Sequence, residues 1–263
     1  MAANLMESIK NRCDVVSATS IAIECSDVLE IDTVHRAAIE AAWEAALERN
    51  PQLFNAEILM MRRWEKDSAG NLRIFTAWGN YKMLLASRSV SALQDVVRPV
   101  GVSGVMVCHV DDVESETTLV SKTALVFARR SSTVASYPGY WELMPSGSIS
   151  RHTAQKDAST HIDILALILE EFEEVTGFST DIITEISPFT LIFDKQANIY
   201  DICVRLHISW TQNTVIKRFQ GNNEYTEVAC ITLPQLPNFL RHHAETLVPT
   251  SIALAETFLP TSP

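Results

Sequence analysis

The sequence contains no apolar run long enough to cross a membrane, since a spanning helix needs roughly 20 consecutive apolar residues and the runs here are far shorter. The first residues, MAANLMESIKNRCDVV, also lack the basic start and apolar centre of a secretory signal. With 47% hydrophobic residues among 263, the chain still has enough apolar material for one large domain, with or without an appended subdomain. We therefore expect a water-soluble, cytoplasmic protein with no membrane partner.

Cysteine, histidine and serine motifs are also missing. The five cysteines show no CxxC spacing, and their odd number argues against a complete disulfide framework. The histidines, including the adjacent His242 and His243, show neither HExxH nor His-x-His spacing, so the sequence does not indicate a zinc site. Ser146 and Ser148 flank a glycine, but no GxSxG motif accompanies them, which leaves a serine hydrolase without support.

Positive charge is scarce. The chain has 21 Lys and Arg against 32 Asp and Glu, which gives a net charge of -11. This excess of negative charge opposes non-specific contact with phosphate backbones, so we do not expect a nucleic acid partner. A phosphorylated small molecule would need a local cation, either a basic side chain or a metal ion. The sequence does not indicate an oligomeric state.

Apolar periodicity predicts strands and helices along the whole chain. Residues 14–24 alternate as a strand, IDTVHRAAIEAAWEAALERNP changes to a helical period, and two strands joined at residues 67–71 follow. We expect short helices near 81–86 and 91–96, strands in GVSGVMVCHV, TALVFARR, ISPFTLIFD, IYDICVRLHISW and TEVACITL, and closing helices in PQLPNFLRHH and PTSIALAETF. Strands on both sides of a buried helix predict an α/β (α+β) fold with a mixed sheet between helices.

One predicted helix concentrates both apolar and acidic residues. Ser159 or Thr160 can cap its start, the segment HIDILALILEEFEEV continues it to Val175, and Gly177 suits the left-handed residue that ends a helix. Its apolar residues, which run from Ile162 to Phe172, make this helix apolar nearly all round, which predicts burial. Its second half carries four glutamates with no lysine between them: Glu170, Glu171, Glu173 and Glu174.

These four glutamates allow two interpretations. At about 100° per residue, Glu170 and Glu174 share a helix face, and Glu171 neighbours Glu174. Like charges on one face repel, and a bound divalent cation such as Mg²⁺ would remove that repulsion. Alternatively, the run is a solvated helix face, where acidic residues are common. We favour the metal site because the glutamates end a helix that is predicted to be buried.

The segment EEFEEVTGF resembles the second half of the Nudix box, G-x5-E-x7-R-E-U-x-E-E-x-G-U, in which U is aliphatic. The matching residues are Glu171, Phe172, Glu174, Gly177 and Phe178. Glu170 stands in place of the arginine, and Val175 in place of the last metal-binding glutamate. Upstream, WELMPSG is similar to the strand and loop that open the box, with Gly147 as the first glycine, but Thr153 occupies the position of the first glutamate.

The resemblance extends over nearly the whole chain. The blocks WEAALERNPQLFNAEILMM, TAWGNYKMLL, RPVGVSGVMV and VFARRSSTVASYPGYW look like successive blocks of the UDP-glucose pyrophosphatase-type Nudix hydrolases and related plant Nudix proteins. A longer loop before the helix, as found here, is itself a feature of the animal members. The resemblance implies a Nudix-type α/β/α sandwich over residues 98–263, preceded by an N-terminal α+β subdomain over residues 1–97.

Nudix enzymes cleave a diphosphate linked to another group, with box glutamates holding Mg²⁺ against the pyrophosphate while water attacks a phosphorus. The resemblance implies that Glu171 and Glu174 are catalytic metal ligands, with Glu170 as a further candidate ligand, and that the metal is Mg²⁺, with Mn²⁺ as the alternative. Glu227, at the start of TEVACITL, is a candidate general base or extra ligand. The alternative for Glu227 is a simple charge at a strand end.

Several other residues are candidate substrate contacts. Arg129 and Arg130 end the VFARR strand, where a guanidinium can bind phosphate through two hydrogen bonds, although an arginine there can equally pair with surface carboxylates. Ser146 and Gly147 belong to the loop that opens the box. Tyr81 is a candidate base or sugar contact, although an aromatic residue beside a helix start is more often part of the core.

Three functions are compatible with these residues. The first is a Mg²⁺-dependent hydrolase of a nucleoside diphosphate sugar such as UDP-glucose, giving UMP and a sugar phosphate. The second keeps the fold but acts on another diphosphate, such as a prenyl diphosphate. The third is a nucleotide-binding or partner-binding module that has lost catalysis, because Thr153 and Val175 replace two box glutamates. We rank the nucleoside diphosphate sugar hydrolase first.

Overall fold

The computed structural model describes residues 11–111, 122–134, 136–149, 151 and 161–259. The strands, in chain order, are β1 (Cys13–Ser17), β2 (Ser20–Val28), β3 (Glu57–Lys66), β4 (Asn71–Asn80), β5 (Val100–His109), β6 (Thr123–Arg130), β7 (Trp141–Leu143), β8 (Ser146–Ser148), β9 (Ile183–Asp194), β10 (Ile199–Thr211) and β11 (Tyr225–Thr232). The α-helices are α1 (Arg36–Arg49), α2 (Tyr81–Ser87), α3 (Ser91–Gln94), α4 (Ile164–Thr176), α5 (Gln212–Arg218), α6 (Leu236–His242) and α7 (Pro249–Glu256).

Eight strands form a large mixed sheet. Its order is β1-β9-β10-β5-β6-β11, with the short strands β7 and β8 pairing with β6 and β5. The β5–β10 pair is parallel, whereas β1–β9, β9–β10, β5–β6 and β6–β11 are antiparallel. A second sheet of three strands has the order β2-β4-β3.

Helices cover both faces of the large sheet. On one face, Ile168 and Phe172 of α4 pack over apolar side chains of β5, β6 and β10. On the other face, Leu236 of α6 and Ile252 of α7 pack against Val105 of β5 and further residues of β6 and β9. The predicted α/β fold, with a mixed sheet between helices, is therefore confirmed.

The N-terminal region contributes to the large sheet as well as forming the small one. Strand β1 pairs with β9, in register from Cys13 opposite Asp194. Trp78 of the small sheet also shares an apolar cluster with Val102 and Ile202 of the large sheet. The two regions therefore share a core, and the predicted boundary between residues 97 and 98 stays a prediction.

Several element bounds differ from the sequence expectation. The single strand expected at 14–24 is two strands in different sheets, because the chain turns at Ala18 and Thr19. Helix α4 begins at Ile164, where the Asp163 carboxylate accepts hydrogen bonds from the backbone N–H of Leu165 and Ala166 at 3.0 and 3.1 Å. The caps expected at Ser159 and Thr160 lie outside the described residues.

Other expectations are confirmed. The two strands joined at residues 67–71 are β3 and β4, and the closing helices are α6 and α7. Gly177 ends α4 with a left-handed φ of 69° and donates its N–H to the carbonyl of Glu173 at 3.0 Å. Helix α5 was not expected from the sequence. Among the residues that the structure describes, no helix combines the length and the apolar character needed to cross a membrane.

Candidate functional site

Helix α4 has an apolar face and an acidic face. Its buried side includes Ile164, Leu167, Ile168, Phe172 and Val175. Glu170, Glu173 and Glu174 are exposed, and Glu171 is half-buried. The expectation of an apolar surface nearly all round is therefore wrong for the last two turns of the helix, where the glutamates reach solvent.

Glu171 packs against the backbone of Gly147. Gly147 lies on β8, whose pairing with β5 places Gly147 opposite Val102. A Cβ added to Gly147 would lie 2.2 Å from the Glu171 carboxyl carbon, closer than atoms can approach. Only a glycine lets the strand lie this close to the carboxyl group without a shift. The first glycine and the first helical glutamate of the box-like pattern are thus in direct proximity.

The charge of Glu171 has no basic counterpart. Burial, together with the nearby carboxylates of Glu224, Glu174, Glu170 and Glu142, raises the pKa of Glu171 to about 8. Among the described residues, no lysine, arginine or histidine forms an ion pair with Glu171 or Glu174. Neither glutamate is therefore neutralised by a side chain that the structure shows.

Glu173 has a structural role that separates it from its neighbours. Its Oε1 accepts hydrogen bonds from the backbone N–H and the hydroxyl of Thr180, both at 3.1 Å. These bonds attach the end of α4 to the turn that leads into β9. Of the four glutamates, Glu173 is thus the one committed to holding the fold.

Val175, which replaces the last metal-binding glutamate of the box, points into the core. Its side chain is 2% exposed and shares an apolar cluster with Met106 and Phe178. Its carbonyl oxygen accepts a hydrogen bond from Asn222 at 2.7 Å. A ligand from this position is consequently absent, and a glutamate placed there would have to bury its carboxylate.

The described residues contain no group of three His, Cys, Asp or Glu side chains arranged to hold a metal ion. Two carboxylates are nevertheless a sufficient protein contribution for Mg²⁺, which prefers oxygen donors and is often held by one or two carboxylates together with waters and substrate phosphates. Glu171 and Glu174 fit that requirement because neither has a basic partner among the described residues, and Glu171 is already partly removed from water.

Arg130 is held in a buried polar network. Its guanidinium pairs with Glu142, which is 4% exposed, and its Nε donates to the carbonyl of Ser136 at 2.9 Å. Tyr225 Oη donates to the same Glu142 carboxylate at 2.6 Å. Burial raises the pKa of Glu142, although Arg130 and Tyr225 act in the opposite direction. This network fixes β6, β7 and β11 beside the site.

Arg129 and Glu227 pair with each other at 2.9 Å, and both side chains are about half exposed. Arg129 Nε also donates to the carbonyl of Gly139 at 3.2 Å. The acid whose charge acts most on Glu171 is Glu224, which lies one residue before β11. Sequence reasoning selected Glu227 as the late acid and missed Glu224 and Glu142, because the fold of the loop before β11 determines which carboxylate faces α4.

The remaining predicted contacts lie in different places. Ser146 lies on β8 next to Gly147 and is opposite Ser103 of β5. Tyr81 begins α2 and packs edge-on against Trp43 of α1, with ring centroids 6.4 Å apart, in the apolar cluster of the small sheet. The structure therefore places Gly147, with Ser146 next to it on β8, beside Glu171, and places the partly buried Tyr81 against the apolar cluster of the small sheet. The substrate contacts of Arg129, Arg130, Ser146 and Tyr81 stay predictions.

One further acid lies close to β8. Asp201, at the start of β10, is half-buried, and its Oδ1 is 2.7 Å from the position of a Cβ added to Gly101. The Gly147 carbonyl oxygen is 3.1 Å from that same position. Burial raises the pKa of Asp201 to about 7, and the charges of Glu142 and Asp194 act in the same direction.

No family model matches the sequence, and no curated protein matches it. Two solved structures show a distant similarity. DR0079 from Deinococcus radiodurans matches with a TM-score of 0.42 and 11% identity over 61% of this chain and 83% of that chain. A chain in the complex between the C-terminal domain of mouse MUTYH and human PCNA matches with a TM-score of 0.32 and 11% identity, over 60% and 85%. At these TM-scores, neither structure indicates what this chain binds or acts on.

Proposed function

We propose that this chain is a Nudix-type hydrolase that cleaves a small diphosphate-linked substrate, with a nucleoside diphosphate sugar such as UDP-glucose as the leading candidate and Mg²⁺ as the metal. The observation that supports this most is the position of Glu171. Its carboxyl group lies against Gly147, among other acids, with no basic partner. A carboxyl in this state is stabilised by any cation that binds beside it.

The proposed roles follow from where the side chains lie. Glu171 and Glu174 would hold the metal, which when bound neutralises charge on the phosphoryl oxygens and orients water. Burial and the neighbouring acids raise the pKa of Glu171 to about 8 without metal, and a cation bound beside it would favour the carboxylate form that holds the metal. Because Gly147 has no side chain, its backbone lies close to the Glu171 carboxyl group, and β8 forms one wall of the site.

The basic residues have unequal roles in this proposal. Arg130 positions β6 and β7 through Glu142, since its guanidinium is committed to a buried carboxylate. Arg129 is half exposed and its one ion pair is with the exposed Glu227 among the described residues, so it can exchange that carboxylate for a substrate phosphate at little cost. The net charge of -11 supports a small-molecule substrate over a nucleic acid. A cytoplasmic location stays a prediction from composition.

The test is turnover by the purified chain with Mg²⁺ and a panel of nucleoside diphosphate sugars. We expect release of the nucleoside monophosphate, with loss of turnover in Glu171→Gln and in chelator. Hydrolysis of a prenyl diphosphate alone would change the substrate class. If no diphosphate is turned over, the proposed hydrolase function is wrong.

A second candidate function is nucleotide binding without cleavage. The buried Val175 supports it, because that position supplies no third carboxylate. This function predicts that a nucleoside diphosphate sugar raises the melting temperature even in chelator, with the ligand recovered intact. Stabilisation that depends on Mg²⁺ and is accompanied by product would favour the hydrolase.

A further inference from the structure

Arg205 lies on the face of the large sheet opposite to Glu171. Along β10, Ile202, Val204 and Leu206 point toward the α4 side and share its apolar cluster. Side chains alternate along a strand, so Arg205 and His207 point to the other face, which α6 and α7 partly cover. Any ligand of Arg205 is therefore separated from the α4 carboxylates by the sheet.

The Arg205 guanidinium rests on two aromatic rings. Its central carbon lies 4.8 Å from the ring centroid of Phe189 on β9 and 5.0 Å from that of Phe258, just after α7. The two rings also contact each other edge-on, with centroids 6.1 Å apart. These contacts hold the flat guanidinium in a defined orientation, so little rotational freedom remains to be lost on binding.

Within the described part of the chain, the same guanidinium has no hydrogen-bond acceptor. Its Nε is buried without a partner, and no described carboxylate forms an ion pair with Arg205. Charged groups that are partly withdrawn from water are normally paired, because desolvation costs free energy that a partner must offset. The chain has 32 acidic residues, yet none of those that the structure describes pairs with this cation.

Two histidines extend the positive region. His207 follows Arg205 on the same face of β10 and is half-buried, and His109 ends the neighbouring strand β5. Burial lowers the pKa of His207, and Arg205 and His109 lower it further, whereas Glu185 on β9 raises it. These charged groups act on His207 among the described residues. An anion bound beside Arg205 would add negative charge nearby and so favour the protonated form of His207.

We propose that Arg205, with His207 beside it on the same face of β10, forms a binding site for a phosphate dianion, either free phosphate or a phosphate monoester. A guanidinium fork matches two oxygens of a tetrahedral oxyanion, and each charge-assisted bond is stronger than a neutral one. Phosphate suits the site better than a monovalent anion because its two charges can be shared between the guanidinium and a protonated His207. The site requires neither a metal nor the activity of the α4 carboxylates.

The direct test follows the Arg205 Nε–H signal by NMR while inorganic phosphate is added to the full chain in chelator. The signal moves and saturates if phosphate binds there, and chloride at equal ionic strength leaves it unchanged. Calorimetry then compares inorganic phosphate with glucose 1-phosphate, which separates free phosphate from a monoester as the preferred ligand. Omitting Mg²⁺ keeps the α4 carboxylates out of both measurements.

Matched variants locate the binding. Arg205→Gln is expected to weaken phosphate binding by about tenfold or more, and Arg205→Lys to weaken it less. Arg218→Gln is the control, because Arg218 also lies over an aromatic ring, that of Trp210 at 5.0 Å, but on exposed α5. Its affinity for phosphate is expected to equal that of the unmodified chain.

The role of His207 is tested with sulfate, whose charge does not change between pH 6 and pH 8. Sulfate binding is expected to tighten as pH falls, and His207→Asn to remove most of that change. If Arg205→Gln fails to fold, two measurements still test the proposal. They are the NMR titration of the unmodified chain and the pH dependence of sulfate binding by His207→Asn. An unmoved Arg205 signal, or a folded Arg205→Gln that binds phosphate unchanged, would overturn the proposal.

Discussion

The carboxyl carbon of Glu171 lies 2.2 Å from the position that a Gly147 side chain would occupy. Gly147→Ala must therefore push that carboxyl away from β8, and a displacement of this size at a reacting group costs about 10–100-fold in rate. We expect this loss in Mg²⁺-dependent turnover. Ser148→Ala, on the same strand but exposed, is the control and is expected to retain activity. Equal rates for the two variants would show that the contact has no catalytic importance.

Glu171 and Glu173 are expected to affect stability in opposite directions. Glu171→Gln should raise the free energy of unfolding by about 1–2 kcal/mol at neutral pH, since a half-buried carboxyl without a basic partner destabilises the folded state. Glu173→Gln should lower it by about 0.5–1 kcal/mol, because the bonds from Thr180 lose their charge assistance. Urea unfolding of both variants measures the difference. A loss of stability in Glu171→Gln would mean that a cation already compensates this group.

Arg129 and Arg130 are adjacent but should differ sharply. Arg130→Ala leaves the Glu142 carboxylate buried without its cation, which costs about 3–5 kcal/mol of stability. Arg129→Ala removes an exposed ion pair, which is worth about 0–1 kcal/mol. Thermal and urea unfolding check both values. Adding Glu142→Gln to Arg130→Ala should recover part of the lost stability. No recovery would mean that the unpaired Glu142 carboxylate is not the cause of the loss.

Asp201 should make stability depend on pH. Its pKa is about 7 in the folded chain, above the usual value of 3.8. Between these values the unfolded chain has lost the proton that the folded chain retains, so this residue destabilises the fold progressively as pH rises from about 4 to about 7. Asp201→Asn should therefore stabilise the chain more at pH 7 than at pH 4. Parallel stability curves for the two proteins would contradict this.

Much of the fold was predictable because its signals are local. Polar residues mark the turn between β3 and β4, the left-handed Gly177 marks the end of α4, and apolar residues mark α6 and α7. Each of these signals depends on only a few neighbouring residues. Helix α4 starts later than expected, at Ile164, because the Asp163 carboxylate inside the apolar segment caps it.

The candidate site was only partly predictable. Glu171 and Gly147 were identified from a motif resemblance, and their proximity is a fact of tertiary structure. Glu142 and Glu224 were missed because neither belongs to a motif that is recognisable in the sequence. Strand pairing brings Glu142 toward α4, and the turn before β11 does the same for Glu224. Nothing in the sequence singles out Arg205. Its lack of an ion-pair partner among the described residues depends on which side chains the fold places around it.

The pairing of β1 with β9 has a consequence for how the chain is made. Arg12 and Asp194, 182 positions apart, form the ion pair at its end, at 2.8 Å. During synthesis, β1 has no partner until β9 has left the ribosome. The outer edge of the large sheet is thus closed late, by a strand made much earlier than its partner, and contacts this distant in sequence slow folding.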